Sequence, residues 1–539
     1  MFALRGPTLA ALLHCINEGP QHRARYPEFC MTTINRRQFI RLAGPALGVL
    51  AGLPGVAGAA AGKPITIAVP GDLTTWDPSR QMSPTPIPIF KCVFDQLLTY
   101  SADSKLGPSL ATAYRWSDRG LTLELDLRAD AVFHNGDPVT SADVKFTYLE
   151  RPRADKTLQI GFVWNTLRDI ETPTPTRVIF RFKEPMVTAP QFMGYAGSFI
   201  VPKKYFEKVG LEGFLAKPVG SGPYRLVEYQ RDSHIVIEAV EKFRDGPAKI
   251  PRVTFQVVKD PTSRASAIQS GQVDVSSNLS ARDALRLATL PKIATAITPT
   301  VDTYMIHMVN AGPLTDINVR LAMNHAIDKK GLSRAFFNNV AAPLTKPSPP
   351  GTPSYDPDFK FDFDPALAQS LLAKSGYSTS KPAQFRFFAP NGVVAADFDM
   401  ARAIVAMWKK VGIEATLEAI EPPQYFTRLA SGKLEGPTLW MWTNATGDPE
   451  LSAGYYLNPK KSFSAWKTPD VSEKLDPLLV ETDYDKRIAG YKAFHAWAVN
   501  QGYALPLVQG IATIAYARDS IQYKPFRNGW LLPYEWQPT

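Results

Sequence analysis

Leucine recurs at every second position from Leu121 to Leu127, with Thr122, Glu124, Asp126 and Arg128 in the alternate places. A period of two sets the leucines on one face of a half-buried strand and the polar residues on the other. Asn135-Gly136-Asp137-Pro138 then reads as a tight turn, because glycine accepts positive φ and proline fixes the exit. Ser141 is placed to cap a helix that begins near Ala142, with Asp143 in its first turn. Strand, turn and capped helix succeed one another without a gap, which is a β-turn-α unit.

The same logic recurs along the chain. Ile65-Thr66-Ile67-Ala68-Val69 reads as a strand buried on both faces, followed by a loop from Gly71 to Pro88 with Trp76-Asp77-Pro78, and then by a helical stretch from Ile89 to Leu98. Asp260-Pro261 opens a helix that Gly271 closes, ahead of a strand at Val273-Asp274-Val275. Val319, Ala322, Met323, Ala326 and Ile327 form an apolar stripe at helical spacing. Phe398, Ala401, Ile404, Val405, Trp408 and Val411 form another, stopped by Gly412, after which Ile413, Ala415, Leu417 and Ala419 alternate. Strand-helix-strand order is the βαβ logic of a sheet with right-handed crossovers. At 539 residues the chain is too long for one core, and two to four domains are expected.

Several motifs in this order resemble those of the family 5 extracellular solute-binding proteins, the peptide, nickel and opine receptors of ABC importers. They are Leu127 to Val144, the Gly220-Ser221-Gly222-Pro223-Tyr224 element, Pro313 to Asp328, and Asp364 to Tyr377. The resemblance implies an α/β fold of two lobes, a type II (cluster C) periplasmic binding protein with a small extra subdomain in lobe I. The boundaries it implies are 62–94 for the first part of lobe I, 95–215 for the extra subdomain and 216–301 for the second part of lobe I. Lobe II comes next at 302–503, and 504–539 completes lobe I. The implied function is capture of a small solute (peptide-like, opine or oligosaccharide) between the lobes and its delivery to an inner-membrane ABC permease. The alternative is a carrier of a metal or metal chelate, as in the nickel branch, and a periplasmic hydrolase is the more distant rival.

The first 61 residues are read as a signal region. Asn35-Arg36-Arg37-Gln38-Phe39 resembles a twin-arginine motif, with Asn35 where Ser or Thr is commoner, and implies the twin-arginine translocase as a partner in export. A Gly/Ala-rich apolar segment and Ala-x-Ala sites at Ala57 to Ala61 come after it, and Met31 is a possible start. This region holds six arginines and two glutamates, so the net charge falls from +10 to +6 on its removal. Cys15 and Cys30 go with it, which leaves Cys92 alone and no intrachain disulfide. The periplasm is the expected location. No dense Lys/Arg run marks a nucleic-acid surface, so no nucleic-acid partner is expected.

An enzyme should show a constellation of reactive groups. The seven histidines are scattered, and none has a metal-binding spacing. Gly220-Ser221-Gly222 lacks the spacing of a nucleophile elbow and the lysine of a phosphate loop. No catalytic residue, metal site or cofactor is expected. The stronger signal is aromatic: Trp440-Met441-Trp442-Thr443-Asn444-Ala445-Thr446-Gly447-Asp448-Pro449 runs on to Tyr455. By resemblance this strand and loop form the ligand-facing wall of lobe II, with Trp442, Trp440, Asp448 and Tyr455 as candidate contacts. Trp76 and Asn278 are the candidates from lobe I. Peptide receptors of the family carry, three residues after the Trp, an Asp that pairs with the peptide's amino group. Here Ala445 stands in that place, so binding of a free amine is not implied by the motif.

Overall fold

The computed structural model describes residues 62–81, 86–461 and 464–539, without the side chains of residues 162, 453 and 455. The signal-region readings, the twin-arginine motif and Met31 among them, lie outside the described residues.

Ten strands form one sheet that runs through both lobes. From one edge the order is Ile413–Ala419, Ala383–Ala389, Thr438–Trp442, Ile293–His307, Ala504–Ala517, Val275–Ser277, Ile65–Val69, Arg252–Val257, His234–Ala239 and Tyr224–Gln230. Ile65–Val69 is parallel to both its neighbours, as is Ala383–Ala389 to Ile413–Ala419, with the helix Asp397–Lys409 crossing between the last two. Ile404 and Trp408 on that helix are fully buried, as the apolar stripe predicts. The two central strands are the long ones, 15 and 14 residues, and pair antiparallel across almost their whole length.

Three main cores surround this sheet. One, built on Met305, Trp408, Leu439, Trp466 and Phe494, defines lobe II. A second, built on Ile67, Phe90, Phe255, Trp530 and Trp536, defines lobe I. The C-terminal Phe526, Trp530 and Trp536 complete it, which is why the chain returns to lobe I at its end. A third core, with Leu123, Leu125, Tyr148, Trp164 and Phe180, lies under a separate four-stranded antiparallel sheet of Ala111–Ser117, Thr122–Leu127, Arg177–Phe182 and Leu167–Thr174.

Local signals hold in most places and shift in a few. Gly136 takes φ 88°, Gly271 ends its helix at φ 75°, and Asp260, Asp316 and Asp364 cap theirs. The cap at residue 140 is Thr140, not Ser141: Asp143 Oδ2 accepts the Thr140 N–H at 2.8 Å, a capping box that spans three residues. Leu121 lies outside the leucine strand and is exposed, because an Asp118–Gly120 turn precedes the first paired residue. The first helix is Ile87–Val93; Leu98 belongs to a short hairpin strand, Leu98–Tyr100. After Gly271 the strand is Val275–Ser277, two residues later than the pattern places it.

Candidate functional site

The lobes are joined by the two long strands, and their ladder breaks at one place. Pro299 pairs with Ile511 and Thr303 with Gln509, so Thr300, Val301 and Asp302 stand against Gly510 alone. A bulge of this kind bends the strand and frees backbone groups that need other partners. Gln509 Nε2 donates to the Thr300 carbonyl at 2.6 Å, and the Val301 N–H donates to the Arg527 carbonyl at 3.0 Å. Only glycine fits opposite: a Cβ on residue 510 would stand 2.7 Å from Thr300 Oγ1 and 2.9 Å from Asp302 Cβ.

Thr438–Trp442 pairs with Thr303–His307 beside this break, Trp442 directly across from Thr303. Trp440 stacks on Tyr425 at 4.4 Å and meets Phe426 edge-on, so it is buried in lobe II. Trp442 is half-buried; its indole N–H donates to the Leu451 carbonyl and its ring tilts against His307 and Tyr456. Alternation puts both rings on one face, but the environment changes along the strand from core to rim. His307 stacks on Tyr456 at 4.6 Å, and burial holds its imidazole down at about 3, so it stays neutral.

From Trp442 the chain leaves the strand and reaches lobe I. Thr443 comes up beside the Tyr195 phenol, and Thr446 beside that of Tyr100. Ala445 is buried within the lobe I core. Thr188 lies beside Glu450, whose carboxyl is pushed up to about 6 by burial and by neighbouring Asp448, with Arg487 opposing. Glu450 and the three threonines make residues 443–450 the bridge between the lobes.

Asp448 caps the turn Pro449–Leu451 and forms a bidentate pair with Arg487, both 2% exposed. Its charge is thus matched within lobe II. Trp76 is 2% exposed and packs edge-on to Phe90 and Tyr229 in the lobe I core. Asn278 is exposed, at φ 51° after Val275–Ser277, with its carbonyl accepting from Arg264. The Tyr455 side chain lies outside the described residues. Trp442, Trp440 and Asp448 therefore have their partners in lobe II, and Trp76 and Asn278 have theirs in lobe I. Asp302, Tyr195, Tyr100 and Glu450 carry no mark in the sequence, since each looks like an ordinary polar residue in a strand or turn. A cavity of about 900 Å³ lies within lobe I, lined among others by Lys91, Gln96, Arg128, Arg244, Lys249 and Tyr534, and includes no residue of the bridge.

Residues 105–464 match the model of the bacterial extracellular solute-binding proteins, family 5. The chain belongs to this family. This solute-binding protein works in the periplasm, as the periplasmic members of this extracellular family do, and no described helix is long and apolar enough to cross a membrane. It is 27% identical over 325 residues to the glutathione-binding protein GsiB of Salmonella choleraesuis, an alignment that spans 59% of this chain and 62% of that relative. The solved structure of NikA from Brucella suis in complex with Fe(III)-EDTA superposes with a TM-score of 0.79 at 22% identity, over 88% of this chain and all of the other. That of DppA from Helicobacter pylori in complex with the peptide STSA gives 0.74 at 19% identity, over 88% and 98%. These likenesses establish the two-lobed periplasmic-binding-protein fold. The family and these relatives are binding proteins.

Proposed function

We propose that this solute-binding protein captures a small solute between its lobes and hands it to the permease of an ABC importer, making and breaking no covalent bond. The observation that carries this reading is the register break at Thr300–Asp302 against Gly510, set between two separate cores and beside a loop of lobe II that touches lobe I. Two strands that lose their ladder at one point can bend there, while each core moves as a unit. A solute that contacts both lobes favours the closed arrangement by the difference in its affinity for the two. Micromolar binding needs about −8 kcal/mol in total, and a closed form populated to about 1% without solute lowers the apparent affinity about a hundredfold.

Within this reading the domain division is 62–94, 95–215 and 216–301 for lobe I with its subdomain, 302–503 for lobe II and 504–539 for the returning tail. The three main cores support it except at the last boundary, since Ala504, Leu505, Leu507 and Val508 still pack in the lobe II core and the tail joins the lobe I core from Ile514. Export by the twin-arginine route rests on Arg36-Arg37. Trp442, half-buried at the root of the bridge, is the aromatic contact for the solute, with Trp440 behind it as packing support. Small-angle scattering with and without the solutes of a native periplasmic extract tests the reading. Contraction on addition supports it, and an unchanged profile with every fraction refutes it.

A further inference from the structure

The charges around the 900 Å³ cavity of lobe I do not balance. The cavity opens where the helix Ile87–Val93, the hairpin of Leu98–Tyr100 and Leu106–Pro108, residues 243–249 and residues 532–537 come together. Each of its four acids is already held. Arg244 makes a bidentate pair with Asp95 at 2.7 and 2.8 Å, and Arg128 serves Asp130 at 2.6 Å and Asp245 at 3.2 Å. Lys524, from outside the cavity, meets Glu535 at 2.6 Å. Lys91, Lys105 and Lys249 line the same space, and among the described residues none of them has an acid partner. With Lys524 counted, two positive charges remain in excess.

Lys105 and Lys249 are exposed, and a solvated lysine needs no partner. Lys91 is different, at 6% exposed. Its Nζ donates to Gln96 Oε1 at 2.6 Å and to Thr99 Oγ1 at 3.1 Å, and it stands 4.5 Å from the centre of the Trp530 ring. All three partners are neutral: they solvate an ammonium without cancelling its charge. A buried charge left uncompensated is costly, so its place beside a cavity calls for a counter-ion that enters from outside. Burial pulls the Lys91 ammonium down to about 7, against Asp95, and an anion at its side would restore its charge. Arg244 adds a second donor. Its side chain is 7% exposed, and its Nε has no hydrogen-bond partner, with Asp245 Oδ2 3.5 Å away.

The chemistry of the unmatched groups narrows the ligand. The arginines of the lining are already engaged by carboxylates, the partners that their planar fork fits best. The groups left over are ammoniums, point charges that suit the oxygens of a phosphate, and a phosphate carries close to the two negative charges that the cavity lacks. The space exceeds a bare phosphate and lies in the range of small-molecule sites. Phe94, Tyr100, Phe243 and Tyr534 supply ring surface for an organic body. We propose that this cavity is a second binding site, in lobe I and outside the cleft, for a small phosphate ester whose phosphate meets Lys91 and whose organic part lies along these rings. The site goes beyond the receptor reading and does not rest on it.

The test is calorimetry on the purified protein at pH 7 with phenyl phosphate, inorganic phosphate and phenol. Phenyl phosphate should bind most tightly, inorganic phosphate less so and phenol least. Lys91→Met keeps the bulk of the side chain and removes the charge. It should weaken phenyl phosphate about 10- to 100-fold, as loss of a charged hydrogen bond does. Should that variant fail to fold, Lys105→Ala combined with Lys249→Ala decides. Both residues are exposed, so the fold stands, and phenyl phosphate should bind about three- to tenfold more weakly. No binding of phenyl phosphate, phenol bound as tightly as its phosphate ester, or an affinity unchanged in the variant that folds would overturn the proposal. Vesicles of phosphatidylcholine with phosphatidic acid separate a soluble ester from a lipid headgroup. Flotation with them by a protein that ignores phenyl phosphate would overturn it as well.

Discussion

Each lobe carries a tryptophan with an Asp-Pro step after it, and the two loops share one construction. In lobe I, Asp77 caps the turn Pro78–Arg80 and is held by both nitrogens of buried Arg151. In lobe II, Asp448 caps Pro449–Leu451 and is held in the same way by Arg487. The difference lies in the tryptophan and the residues just after it. Trp76 is locked into the lobe I core, and its loop stays on its own side through the Arg151 pair to the extra subdomain. Trp442 is left at the rim, and the residues beyond it reach Tyr195, Tyr100 and Thr188 across the gap. One loop is held within its own lobe and the other spans from lobe II to lobe I. Asp448, which looks like a binding group in the sequence, is an anchor, as Asp77 is in its own loop.

Removing either arginine should have the largest effect. Arg487→Ala leaves buried Asp448 unpaired, at a cost of about 3–5 kcal/mol in chemical denaturation, and Arg151→Ala, which leaves Asp77 only its 3.3 Å pair with Arg80, should fall at the lower end of that range. The comparison is in the second readout: Arg487→Ala should also weaken solute binding, because it loosens the bridge, whereas Arg151→Ala should lower stability alone. Equal losses of affinity would erase the distinction between the loops. The tryptophans extend the test. Trp76→Ala should cost about 3–5 kcal/mol of stability as a cavity in the lobe I core. Trp442→Ala should cost about 1–3 kcal/mol of solute binding with the fold intact, as the loss of an aromatic contact does; unchanged affinity would make Trp442 packing.

Gly510→Ala comes next. Its new methyl would meet Thr300 Oγ1 and Asp302, so the bulge must shift, at about 1–3 kcal/mol. That strain falls on the packed arrangement of the lobes. The scattering profile of the variant should expand, with thermal stability of each core little changed. A profile like that of the wild type would mean that the hinge lies elsewhere.

The roles legible in the sequence are the local ones. Gly136, Gly271, Asp260 and Asp364 act through their own backbone, within a few residues, and so their roles are visible in the sequence. The apolar stripe around Trp408 is equally local. Trp76 is different: its burial depends on Phe90 and Tyr229, and a loop has no period that predicts which side chains turn inward. Asp448 looks available in the sequence because Arg487, 39 positions away, comes to it only in the fold. Asp302 escapes notice for the opposite reason. A single acid in a long strand reads as a solvent-facing residue, and only the bulge takes it out of alternation.

The smallest expected effect concerns the solute-free protein and sets the bridge against the scaffold once more. Asp302 and Glu450, both where the lobes meet, are pushed up to about 6 by burial, above the ordinary carboxyl values near 4. A raised value means that the packed arrangement holds its protons more tightly than the separated one. The stabilisation is therefore complete below about pH 4 and is lost as pH climbs through about 6. Without solute the protein should be more contracted at pH 5 than at pH 7.5. Glu450→Gln should keep part of this dependence and Asp302→Asn the rest, while the scaffold variant Arg151→Ala should leave its shape unchanged. A radius of gyration that is constant from pH 5 to 7.5 would show that these two carboxyls are buried equally whether the lobes are together or apart, and the bridge would then be as fixed as the loop it is compared with.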